Sequence, residues 1–535
     1  MSSSADVVVS EAGGHHMTDD EIRLAKLGYK QGLKRQFSAF QNFGFVLTNA
    51  SVLIGVVPLF SFAMAVGGPV TFTWGWLLVS SFVMCVGLSM AEICSTYPTA
   101  GGLYYWTAKL GGPKWGPLFS WFEAWFNALG QVAGASGSVL SASQLMAEMI
   151  RIGSGRVLVE KEIFGLFCAM VISGALVNVI GGLGLKATSI ASVYVHILGT
   201  FIIVIVLLVT CKDKNSASFV FTDFEDQIGA TQHGFAPFFV FLLGLLPSQW
   251  SLLGYDSSAH MSEETEASYV NGPRGIVYTI IAAVIMGWGL ILSMTFALGD
   301  YATAQAETSF YAAPTAAYVF TRNAGDAGGM VLLFIVVFAG WCCGIGTMAA
   351  NSRMFYAFAR DNGLPASKFW TKLDARTGMP IRLVFLSATF VIILAIPYMF
   401  SAAALTAVAG ISVIGFMVSY SIPIFLRITV GDKYFVQSEF NLGRWSYLLG
   451  WIGVIWTAIA CVLFNFPQAY PAAAETLNYT PVAVGFLLLY SGGTWMLGAR
   501  KWFKGGSSRL SASVGFAGSM LPVRRVSQYL CFCVS

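Results

Sequence analysis

Twelve times between residues 42 and 499 the sequence runs through a long, mostly apolar stretch: 42–66, 74–94, 117–149, 163–183, 188–211, 236–259, 275–298, 328–357, 381–399, 402–426, 447–467 and 480–499. About twenty such residues are what a helix needs to cross the hydrocarbon of a bilayer. Lipid offers the backbone no hydrogen bonds, so each stretch has to pair its own N–H and C=O groups, and a helix does so within one segment. The apolar–polar alternation that marks a membrane β-barrel is absent. Only 10% of the residues are charged, against about 25% in a soluble domain. The expectation is an all-α integral membrane protein of twelve transmembrane helices, with the lipid bilayer as its main partner.

The charges that are present have a direction. With the N-terminus placed in the cytosol, 24 of the 30 Lys and Arg residues fall on the cytosolic side, as the positive-inside rule requires. Both termini are therefore expected in the cytosol. The plasma membrane is the first expectation, with a mitochondrial or Golgi membrane as alternatives. The first 40 residues carry no apolar signal region. Thr18-Asp19-Asp20-Glu21 has the form of a capping box, heading either a basic helix on the membrane surface or a solvated tail helix. No basic patch suits a nucleic acid, and no feature sets an oligomeric state. Seven of the nine cysteines lie in or at the ends of apolar segments and read as small buried side chains. Cys531 and Cys533 sit near the C-terminus.

Two segments are interrupted. In VLTNASVLIG (46–55) Thr48, Asn49 and Ser51 break an apolar run, and in LLPSQWSLLGYDSSAH (245–260) Pro247, Gly254, Ser257 and Ser258 do the same. Segments 1 and 6 are corresponding members of two five-helix units. Because five is odd, the second unit runs inverted, and paired interruptions of this kind point to the central site of a transporter. The organisation expected is a cytosolic tail (1–40), a first repeat (41–211), a second (236–426), two further helices (447–499) and a cytosolic C-terminal tail (500–535). The fold is then a LeuT-like 5+5 inverted repeat with discontinuous helices 1 and 6. A broken helix exposes unpaired N–H and C=O groups that suit a zwitterion, although Pro247 and Gly254 could equally kink a packed helix.

Asp256 is an acid where acids are expensive. It either faces the site or caps the second half of segment 6. Glu263, Glu264 and Glu266 are expected in a solvated loop beyond the membrane. Glu123, Asn127 and Gln131 follow at i, i+4 and i+8 on one face of segment 3, lining a substrate path or joining helices. His196, in segment 5, either carries a coupling proton or is a structural, hydrogen-bonded histidine. GLGLKA (182–187) and GIGTMA (344–349) sit in apolar helices rather than opening a βαβ unit, so they are not dinucleotide fingerprints. No HExxH, P-loop or GxSxG pattern occurs. Neither an enzyme nor a metal or cofactor is expected, beyond possible coupling to H+.

Six blocks resemble one family: LGYKQGLKRQFSAFQNFGF (27–45), AEICSTYPTAGGLYYW (91–106), AWFNALGQVAGAS (124–136), SLLGYDSSAHMSEET (251–265), NSRMFYAFARDNGLP (351–365) and ISVIGFMVSYSIPIFLRI (411–428). They are similar to the amino acid/choline transporter family of the amino acid–polyamine–organocation superfamily, closest to the plant bidirectional amino-acid transporter and GABA-permease group. The resemblance implies a substrate held between segments 1, 3, 6, 8 and 10, and a gating aromatic before the break in segment 6, where this sequence has Trp250. In the first break Asn49-Ala50-Ser51 stands where the family has a glycine-rich turn. The candidate substrate-binding residues are Thr48, Asn49, Ala50, Ser51, Asn127, Gln131, Trp250, Leu253, Gly254, Tyr255 and Asp256. His196 is the proton-coupling candidate. The expected function is a secondary active permease for amino acids, GABA among them, working by alternating access. The alternatives are a choline or polyamine carrier of the same fold and a non-transporting amino-acid receptor. About the last 30 residues do not resemble the family's tail.

Overall fold

In a computed structural model, which describes residues 17–307, 315–401, 404–472 and 477–505, the apolar stretches are helices. Helix α1 (Asp19–Lys26) precedes segment 1, which is split into α2 (Ala39–Asn49) and α3 (Val52–Val56) and followed by α4 (Phe60–Ala65). Segments 2 to 5 are α5 (Gly68–Thr96), α6 (Leu103–Ser154), α7 (Glu160–Ile180) and α8 (Gly182–Thr210). After the short α9 (Ala217–Thr222), segment 6 divides into α10 (Pro237–Leu243), α11 (Leu246–Ser251) and α12 (Ser257–His260). Then come α13 (Ser268–Phe296), α14 (Tyr301–Glu307), α15 (Thr315–Arg360), α16 (Ser367–Trp370), α17 (Ile381–Ala395), α18 (Ala404–Ile428), α19 (Trp445–Leu463), α20 (Thr480–Thr494) and α21 (Arg500–Trp502). Both expected interruptions are therefore real breaks. Helices α6 and α15 begin earlier than their apolar stretches, because each runs through a turn of non-helical backbone, at Gly112 and Gly325. Most of the expected C-terminal tail, with Cys531 and Cys533, lies outside the described residues.

Among the described residues, ten helices are long and apolar enough to cross a membrane. Reaching the expected twelve means adding α6, whose inner face is polar, and the broken segment 6, whose apolar part spans only Pro237–Ser251. Outer helices turn large apolar side chains outward, among them Leu183, Ile285, Leu489 and Leu497. In water such a belt would aggregate; in lipid it is the expected surface. This is an integral, multi-pass membrane protein. At its centre α6 packs most extensively on α18 and α15. A Cβ placed on Gly130 would come within 2.8 Å of the Phe416 backbone nitrogen, so these two helices cross at a distance that only a missing side chain permits.

The capping box at Thr18 forms: the Glu21 amide donates to the Thr18 hydroxyl and the Thr18 amide to the Glu21 carboxylate. Helix α1 and residues 29–38 then fold back over the loop between α12 and α13. Asp20 accepts from the Ala267 amide at 2.8 Å, Arg23 lies 3.6 Å over the Tyr269 ring, and the Gln36 and Phe37 amides donate to the Glu264 carbonyl at 2.8 and 2.9 Å. This strap corrects the expectation of a solvated acidic loop. Glu263 and Glu264 are buried, the first paired with Arg360 at 2.9 Å and the second with Arg353 at 2.8 Å. Only Glu266 is exposed. The physical reason is that a buried charge needs a partner, and α15 brings a guanidinium to each.

Candidate functional site

The two breaks face each other. Gly254 has φ +88°, a backbone open to glycine at little cost, and a Cβ there would lie 2.9 Å from the Asn49 carbonyl oxygen. Helices α3 and α11 run on from this point side by side. Between them is a small cavity lined from five helical segments: Asn49, Ser51, Ile54 and Gly55; Gly134 and Ser138 of α6; Trp250, Ser251, Leu253 and Gly254; Cys343 and Thr347 of α15; and Ser412 and Phe416 of α18. These are segments 1, 3, 6, 8 and 10. No lining side chain carries a full charge at neutral pH; hydroxyls, an amide and a thiol supply the polarity. Unwound turns add main-chain groups that a helix end leaves without helical partners.

Asn49, Ser51, Trp250, Leu253 and Gly254 are thus brought together, whereas Thr48, Ala50, Asn127, Gln131, Tyr255, Asp256 and His196 are not among the lining residues. Asp256 stands behind the wall. It occupies the position that would cap α12, but its side chain makes no capping bond. Its carboxylate instead reaches across to two other helices. Oδ1 accepts from the Tyr420 hydroxyl at 2.7 Å, while Oδ2 accepts from the Asn127 amide at 3.1 Å and the Gln131 amide at 2.9 Å, with His260 Nε2 at 3.2 Å. The same Tyr420 hydroxyl accepts from the Gly254 N–H at 3.2 Å. The carboxylate thus neither lines the cavity nor caps α12 in this structure. Four protein groups already surround the carboxylate, and they pin the unwound turn of segment 6 to α6 and α18.

The polar face of segment 3 joins helices: Asn127 also donates to Ser419 at 3.0 Å, and Ser419 donates to Glu123 at 2.7 Å. Thr48 bonds back to the Gly44 carbonyl, and the Tyr255 ring lies tilted against Tyr420 with ring centroids 5.0 Å apart. His196 backs the first break, with Nε2 2.6 Å from the Ser51 hydroxyl. Sequence reasoning missed Ser412, Phe416, Ser419 and Tyr420. The signal was there: they recur at i, i+4, i+7 and i+8 on one face of α18. Cys343 and Thr347, four apart in α15, were missed in the same way. His260 was given no role.

A lipid-exposed helical belt around a small uncharged cavity, with a broken helix on each of two sides, defines an integral membrane permease. The chain belongs to the amino acid permease family, whose sequence model it matches over residues 37–488. It is 41% identical to the amino-acid permease BAT1 homolog of Oryza sativa subsp. japonica, over 93% of this chain and 97% of that protein. It is 39% identical to the amino-acid permease BAT1 of Arabidopsis thaliana, over 92% and 97%. The GABA-specific permease of Saccharomyces cerevisiae is 27% identical over 92% of this chain and 86% of its own length. These relatives are transporters rather than enzymes.

Proposed function

We propose that this permease is a secondary active transporter that moves amino acids, GABA among them, by alternating access, its two inverted five-helix units rocking around the cavity between α3 and α11. The observation that carries this reading is the cavity wall: hydroxyls, an amide and a thiol set among apolar side chains that include Trp250, and no full charge. An amino-acid zwitterion is net neutral, so its two ends can be met by hydroxyls and by the main-chain groups of the breaks. A polyamine brings several positive charges that are costly to bury without partners, and the nearby carboxylate is already surrounded by four groups. A yeast relative named for GABA supports that substrate. With the N-terminus in the cytosol, as the placement of Lys and Arg argues, the strap and the Glu263–Arg360 pair close the cytosolic end. The plasma membrane is the membrane assigned.

The test is counterflow of labelled L-alanine and GABA in proteoliposomes of the purified protein. Exchange of both, competed by unlabelled amino acids and not by choline, is expected. Competition by choline equal to that by GABA would favour the cation carrier, and saturable binding without counterflow would favour a receptor.

A further inference from the structure

Two fully buried histidines sit beside the two breaks, and their partners set opposite proton requirements. His196 places Nδ1 2.8 Å from the Ser192 carbonyl and Nε2 2.6 Å from the Ser51 hydroxyl. A carbonyl only accepts, so Nδ1 carries hydrogen; a hydroxyl can donate, so a bare Nε2 is satisfied. Neutral imidazole meets both contacts. His260 places Nδ1 3.3 Å from the Ala100 carbonyl and Nε2 3.2 Å from Asp256 Oδ2. Both neighbours are oxygens that accept. The two contacts hold together only if one additional proton lies between His260 and Asp256, as imidazolium and carboxylate or as imidazole and carboxylic acid.

From this geometry we infer that the His260–Asp256 pair is the site at which the carrier binds a coupling proton, an assignment that rests on the reading of the chain as a transporter. The charged and titratable surroundings fit it. From α18 comes the Tyr420 hydroxyl, and Tyr255 lies beside it; from α6 comes Glu123, linked to Asp256 through Ser419 and Asn127. Among the described residues, Glu123 Oε2 and Asn127 Oδ1 are buried acceptors with no donor, so this pocket is short of hydrogen-bond donors. Toward α12, α2 offers the Asn42 amide and α13 the Gly272 carbonyl, both bonded to Ser258. The next acids along the chain, Glu263 and Glu264, are neutralised by Arg360 and Arg353.

Coupling follows from what the pair holds. Asp256 and Tyr420 fix the turn at Gly254, and Trp250, Leu253 and Gly254 line the cavity. When the proton leaves, neutral His260 can donate to only one of the two oxygens, so either the Ala100 carbonyl or the Asp256 carboxylate loses its N–H and the ring turns away from the partner that is lost. Proton occupancy and cavity shape are then linked, and the linkage is reciprocal: substrate and proton each favour the state that the other favours.

The experiment uses proteoliposomes with pyranine in the lumen and L-alanine or GABA outside. In the wild type, adding substrate acidifies the lumen, and an inward gradient of about one pH unit sustains about tenfold accumulation for one proton per substrate. In His260→Gln the acidification is lost and accumulation falls to about onefold, while counterflow remains measurable. His196→Gln retains the acidification per substrate moved. Wild-type acidification in His260→Gln, counterflow in the wild type without acidification, or loss of acidification in His196→Gln would each overturn the assignment. Should His260→Gln fail to reconstitute, His260→Asn is the second variant and is read in the same way: lost acidification supports the assignment and wild-type acidification overturns it. Absence of counterflow in the wild type would overturn the carrier reading itself, and this site with it.

Discussion

At the scale of single residues, Trp250 and Asp256 play different parts: the first lines the cavity, and the second pins the turn behind it through Tyr420. Trp250 was legible through the family resemblance, which implies an aromatic before the break in segment 6, and it does line the cavity. Asp256 was legible as unusual, since an acid in an apolar setting announces itself. Its partners were not legible, because they come from residues 127, 131, 260 and 420, and only the folded crossing of α6 and α18 brings them together. The difference has a consequence for substitution. Trp250 contacts the cavity through apolar and aromatic area, which contributes on the order of 1–3 kcal/mol to a bound ligand. Trp250→Ala is therefore expected to raise the half-saturation concentration for L-alanine counterflow by about tenfold, with surface expression and thermal stability close to wild type. A concentration dependence that does not move would remove Trp250 from the site.

At the scale of elements, the breaks and the loop after α12 behaved differently. Both breaks were readable from small and polar residues inside apolar runs. The acidic loop was misread, because a run of carboxylates beyond an apolar stretch looks the same in sequence whether it meets water or guanidinium groups from α15, nearly ninety residues further on. The strap of residues 29–38 and the buried Glu264–Arg353 pair are what make the difference. Removing one partner of a buried ion pair leaves the other charge uncompensated, which typically costs about 3–5 kcal/mol, whereas removing both can be almost neutral. Arg353→Met is thus expected to lower the thermal midpoint of the purified protein clearly, and Arg353→Met combined with Glu264→Gln to recover most of the loss. Equal destabilisation by the single and double substitutions would mean that Arg353 acts through its packing, not through its charge.

At the scale of the whole molecule, the fold class was the most legible property, since the bilayer leaves a long apolar stretch almost no choice but a helix. The division of labour between helices was less so. The central helices α6, α15 and α18 share one wall of the cavity, while α3, α11 and the turn at Gly254 supply the other, and the strap and the Glu263–Arg360 pair tie the far end of α12 to α15. If the molecule works by moving one set against the other, that tie has to open and close in each cycle. The amides of Gln36 and Phe37, both bonded to the Glu264 carbonyl, then report on it, because hydrogen exchange at those positions requires the strap to lift. Arg360→Gln weakens the tie without touching the cavity. It is expected to speed exchange in the peptide that contains Gln36 and Phe37, while peptides from the peripheral helices α7 and α19 keep their wild-type rates. Local opening draws on a small part of the structure and leaves the rest protected. Faster exchange everywhere would instead show general loss of stability, and unchanged exchange at the strap would show that this end of the molecule is not held shut by the Glu263–Arg360 pair.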